Sequence, residues 1–153
     1  MITSGPPVVA PSGLAIPVVG VRAADLVDTF DDARSEGRIH DAIDILAPRG
    51  TPVVAAAPGT VARLFTSERG GLTVYVLDAD GRTVYYYAHL DAYAAGLDAG
   101  QTVQRGAPLG TVGSTGNASP EAPHLHFAVW QAPSADQFWD GTPLNPYPLL
   151  TGR

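Results

Sequence analysis

The sequence predicts an antiparallel all-β domain, a sandwich or open barrel with long loops walling a groove. Three observations lead there. Short runs rich in Val, Ile, Tyr and Phe recur at intervals of roughly 8–12 residues, the spacing of antiparallel strands. Glycine and proline, 17 and 14 of the 153 residues, fall between those runs as turns. No stretch sustains the 3.6-residue period of an amphipathic helix.

In chain order, residues 1–17 read as an extended, partly disordered lead-in, because Pro6, Pro7, Pro11 and Pro17 fix φ and withhold ladder donors. Residues 18–153 read as one domain, long enough to bury a core without disulfides. A β-rich tendency over residues 18–30 gives way to a charged loop at 31–38. Ile43 and Ile45 alternate around Asp44 as a strand, and Pro48-Arg49-Gly50 is a turn. Two strands, 51–57 and 60–65, meet across Pro58-Gly59. Two stronger ones, 72–77 and 82–89, form a hairpin through Asp80-Gly81. Residues 92–106 are mostly loop, 109–112 a short strand and 113–123 a long loop. The last strong strand is 124–131. A helical turn at 134–139 and an irregular tail at 143–148 finish the chain.

Composition excludes several functions. There is no cysteine, hence no thiol nucleophile and no thiolate metal site. A net charge of −6 argues against nucleic-acid binding. No segment is long and apolar enough for a membrane span. The first 17 residues lack a basic n-region, so they do not read as a secretory signal. All nine basic residues are arginine, which excludes a biotin or lipoate carrier, since those attach the cofactor to lysine.

The four histidines carry the chemical signal. On a strand, His124 and His126 share one face while Leu125 and Phe127 take the other. His40 and Asp44 are four residues apart, roughly 13 Å on a straight strand, so they converge only if Asp41 and Ala42 make a bend. A catalytic zinc needs three protein ligands and an open fourth position. His40, Asp44 and either His124 or His126 supply such a set, and His89 is the remaining imidazole. Ordinary, hydrogen-bonded strand histidines are the competing reading. For Tyr85, Tyr86 and Tyr87 core packing is favoured over substrate contact.

In order along the chain come His40-Asp41-Ala42-Ile43-Asp44, Gly50-Thr51-Pro52-Val53-Val54-Ala55-Ala56, Tyr87-Ala88-His89-Leu90, Gly106-Ala107-Pro108-Leu109-Gly110, Gly113-Ser114-Thr115-Gly116-Asn117 and Pro123-His124-Leu125-His126-Phe127. This series resembles the lysostaphin-type (LytM-like) zinc metalloendopeptidases, over about residues 26–130. The resemblance implies one zinc ion per chain, held by His40, Asp44 and His126, with His89 and His124 as the catalytic pair. It implies hydrolysis of peptide bonds in peptidoglycan cross-links or bridges by a zinc-activated water, in a monomer of the cell envelope or outside the cell. Arg34 and Asn117 are candidate substrate contacts. Ala42 and Asp31 stand where the family usually has glycine, and Ala128 where many members have Glu; none of these is a ligand position. The alternative is a fold relative without catalysis that binds peptidoglycan or activates a partner. Such a protein would be expected to have lost ligands.

Overall fold

The computed structural model describes residues 8–31 and 41–152. Among them run nine strands and one α-helix. These are β1 Ile43–Leu46, β2 Pro52–Val54, β3 Gly59–Ser67, β4 Gly71–Asp78, β5 Thr83–Tyr93, β6 Thr102–Val103, β7 Pro108–Val112, β8 His124–Gln131, β9 Thr142–Leu144 and α1 Pro146–Thr151. All strand pairs are antiparallel, in one open sheet ordered β1-β8-β5-β4-β3-β6, with β9 on β8 and β2 joined through β7 to β5. The all-β antiparallel class is therefore as expected, and β8 has the expected bounds.

The β4–β5 hairpin closes as its sequence requires. The Asp78 carboxylate accepts the Asp80 N–H, the Asp80 carboxylate caps Arg82 and Thr83, and Gly81 takes φ 74°. Alternation then sorts the side chains. Tyr85, Tyr87, Leu125, Phe127 and Val129 enter the core, at 5% exposure or less. The buried Tyr87 hydroxyl accepts the Ala56 N–H at 2.9 Å. The opposite face of β8 and β5 carries His124, His126, Trp130 and Tyr86.

Two strands change partner midway, and this creates the opening. Residues 83–88 of β5 pair with β8, whereas its last residues pair with β7. His89 sits at the switch with φ 64°, its N–H donating to Gly70 O at 2.7 Å. On the far edge of β8, β1 pairs with residues 124–127 and β9 with 129–131.

Two expectations are corrected. The tail at 143–148 is ordered as β9 and α1. Pro143 lies on an edge strand and Pro146 in the first turn of α1, places where a missing N–H costs little. Asn145 caps α1 by accepting the Tyr147 N–H and also donates to the Asp28 carboxylate. The stretch 18–30 contributes only a bridge from Val18 to Val53 and a 3-10 turn, Ala23–Asp25. From residue 8 the lead-in packs on the sheet: Ala15 and Ile16 are fully buried, and Ala15 N–H donates to Ala56 O. No helix of the described residues is long and apolar enough to cross a membrane.

Candidate metal centre and active site

Register brings the first two groups together. Asp44 on β1 is directly opposite His126 on β8, and His126 in turn is opposite Ala88 on β5. Asp44 Oδ1 is buried from water and lies 3.5 Å from His126 Nδ1 and 3.5 Å from His124 Nε2. The required bend is present, with Asp41 at φ 58° and its N–H donating to Phe30 O. Ala42 has no positive φ, so a methyl there is accommodated. The Asp44 N–H donates to Thr29 Oγ1 at 3.1 Å, fixing the strand start that carries the carboxylate.

The donor set fits zinc. Carboxylate oxygen and imidazole nitrogen are ordinary zinc ligands, and two atoms each about 2.1 Å from a tetrahedral ion stand about 3.4 Å apart. The 3.5 Å from Asp44 Oδ1 to His126 Nδ1 is close to that spacing, as is the equal distance to His124 Nε2. Among the described residues no group of three such side chains is arranged to hold a metal ion. His40, the third member of the expected set, and Arg34, an expected substrate contact, lie outside the described residues.

The loop between β7 and β8 orients the other two imidazoles. His89 Nδ1 donates to Thr115 O at 2.7 Å, and His124 Nδ1 donates to Ala122 O at 3.0 Å. A carbonyl oxygen only accepts, so each Nδ1 carries a proton. The His89 ring centroid is 5.1 Å from that of His124 and 5.7 Å from that of His126. Burial pushes the His89 pKa down to about 4, with His126 and His124 adding to the shift against the opposing Thr115 bond. His89 is therefore neutral at pH 7, as a proton acceptor must be.

The loop itself is anchored. Thr115 Oγ1 donates to Leu90 O and accepts the Leu72 N–H. Arg49 Nη2 donates to Ser114 Oγ and Pro120 O, while Nη1 faces Asp91 at 3.5 Å. Gly116, at φ 75°, lies against the Arg69–Gly71 turn so closely that a Cβ would overlap Arg69 O and Gly71 N. Asn117 is exposed on this loop and its N–H donates to Arg69 O at 2.9 Å.

Four of the five expected histidine and aspartate positions thus converge on one opening, with Asn117 on the same loop. Sequence reasoning missed the groups that set their orientation, because Thr115 and Ala122 act through backbone carbonyls. It also missed a pocket of about 250 Å³ beside His126, whose walls include Tyr86, Trp130 and Trp139. The tyrosine run divides accordingly: Tyr85 and Tyr87 are core, and Tyr86 lines the pocket.

Residues 38–146 match the family described as Peptidase family M23. The chain is 35% identical over 129 residues to an L-Ala--D-Glu endopeptidase of Bacillus subtilis, covering 80% of this chain and 38% of that protein. It is 32% identical over 90 residues to the peptidoglycan DD-endopeptidase ShyC of Vibrio cholerae, covering 59% of this chain and 20% of that one. It therefore spans well under half the length of either relative. The catalytic domain of lysostaphin from Staphylococcus simulans superimposes with a TM-score of 0.63 at 30% identity, over 74% of this chain and 80% of that one. Fold likeness and sequence match point the same way, and the chain belongs to Peptidase family M23.

Proposed function

We propose that this chain is a zinc-dependent endopeptidase that hydrolyses peptide bonds in peptidoglycan cross-links or bridges, acting as a monomer at the cell envelope or outside the cell. The observation that carries this is the meeting of Asp44 and His126 with His89 and His124 at one opening of the sheet. The catalytic domain in this reading is residues 18–153, with residues 8–17 laid against it. His40, Asp44 and His126 would hold one zinc ion, which supplies Lewis acidity and lowers the pKa of a bound water.

The chain's own part is proton handling. His89 presents a neutral Nε2, because burial keeps its ring uncharged and Thr115 O keeps the proton on Nδ1, while His124 Nδ1 is held by Ala122 O. One accepts a proton as the carbonyl carbon is attacked. Once protonated, that ring's Nε2–H can hydrogen-bond the oxyanion and then return the proton to the leaving amine. The fixed tautomers remove the reorganisation that a free ring would need. Asn117, exposed on the loop that supplies both carbonyls, and Arg34 are the substrate contacts in this reading.

Purified peptidoglycans of different cross-link chemistry, digested with zinc-loaded protein, test it. Mass spectrometry should find newly released amino and carboxyl ends at one type of bond. Zinc-loaded protein that binds the polymer and releases nothing would overturn the proposal in favour of a binding module.

A further inference from the structure

The pocket beside His126 has a composition that the hydrolytic reading does not require. Tyr86 and Trp130 lie on the same sheet face as His126, their ring centroids 5.6 Å apart, and Tyr86 meets the His126 ring edge-on at 5.9 Å. Trp139, 56% exposed, forms part of the pocket wall. It is nevertheless held in place. Phe138 O accepts the Trp130 Nε1–H at 2.8 Å, and Phe138 packs edge-on against Trp139. Gly141, at φ 152°, presses on Gln131 where a Cβ would overlap the Gln131 carbonyl. The residues that complete the lining include two aspartates, Asp41 and Asp140, and, among the described residues, no Arg. Ala128, between His126 and Trp130 on the strand, is too small to fill the space.

Aromatic faces attract cations through the ring quadrupole, and nearby carboxylates add to that attraction. An anionic or purely apolar ligand would meet both carboxylates at a cost. We infer that this pocket is a subsite for an alkylammonium group of the peptide substrate, seated among Tyr86, Trp130 and Trp139 and paired with Asp41 and Asp140. The inference rests on the peptidase reading for the peptide nature of the ligand and adds the charge of one substrate group. The ammonium comes from a free amino terminus or from a diamino-acid side chain. Both share the same chemistry.

The chain has two tryptophans, Trp130 and Trp139, and both line this pocket, so intrinsic tryptophan fluorescence reports on it alone. Zinc-loaded full chain is titrated with three probes: N-acetyl-glycyl-lysinamide, glycyl-norleucinamide and N-acetyl-glycyl-norleucinamide. At least one amine-bearing probe should bind about 2- to 30-fold more tightly than the doubly neutral one, the range that cation–π contacts supply. A preference for the lysine probe assigns a side-chain amine, and a preference for the glycyl probe assigns the terminus. Asp140→Asn keeps an oxygen for the Gly141 N–H, which Asp140 Oδ1 accepts at 2.8 Å, and should reduce the preference at least about threefold. Equal affinity for all three probes, or a preference unchanged in Asp140→Asn, overturns the inference. Fluorescence reads occupancy without turnover, so failure here is separable from failure of the peptidase proposal.

Discussion

Asp44 and His126 reach the opening by strand register, whereas His89 and His124 are aimed by carbonyls of the β7–β8 loop. The first pair is opposed across the β1–β8 ladder, and the core contacts of Ile43, Ile45, Leu125 and Phe127 on the other face lock that register. A slip of one residue would turn every one of these side chains over. The second pair depends on Thr115 and Ala122, which belong to a connection with little ladder of its own. On the proposed roles, the sheet places the metal-holding pair and His124, and the loop fixes the ring orientation of the proton-handling pair.

That separation can be broken from the loop side. Gly116→Ala puts a methyl into the Arg69–Gly71 backbone at a φ that alanine resists, so the loop must lift. Turnover should fall on the order of 100-fold, the range lost when a general base is misplaced, while zinc content stays unchanged. Parallel loss of zinc and activity would show that the loop also builds the metal half. Thr115→Val is gentler. It removes the bonds to Leu90 O and from the Leu72 N–H, leaving the carbonyl that accepts from His89. Unfolding free energy should drop by about 1–3 kcal/mol in denaturant titration, with kcat lowered more than KM raised. A rise in KM alone would make the loop a substrate contact only.

The smallest effect is a pH dependence of stability. In the folded chain the His89 pKa lies near 4, below its ordinary 6.5, because the charged ring is poorly solvated. Between those values the unfolded chain binds a proton that folded His89 does not. The stability that neutral His89 contributes is full above pH 6.5 and drains as pH falls toward 4. Zinc-free wild-type protein should therefore lose more stability from pH 7 to pH 4.5 than zinc-free His89→Gln. Coincident pH profiles of melting temperature would rule out a buried, neutral His89.

What the sequence showed follows the same division. Local chemistry was readable: the Asp80-Gly81 hairpin, the alternation that puts His124 and His126 on one face, and the need for a bend after position 40, which Asp41 makes. The resemblance of the ordered motifs carried the family. Features built from distant segments were not readable. Nothing local reveals that Asn145 would hold Asp28, or that residues 8–17 would pack on the sheet. Nor does it reveal that Phe138 and Trp139 would fold back over Trp130. Backbone carbonyls leave no residue signature, so the aim of His89 and His124 was invisible even with both histidines in hand.

The most direct measurement of the division is zinc content, by elemental mass spectrometry, of purified His126→Ala and His124→Ala beside wild type, with peptidase activity measured on the same samples. His126→Ala should lose stoichiometric zinc together with activity. His124→Ala should retain about one zinc per chain and lose activity, as removal of a proton-transfer group predicts. Equal zinc loss in both variants, or loss in His124→Ala alone, would contradict the assignment of one histidine to the metal and its neighbour to the proton.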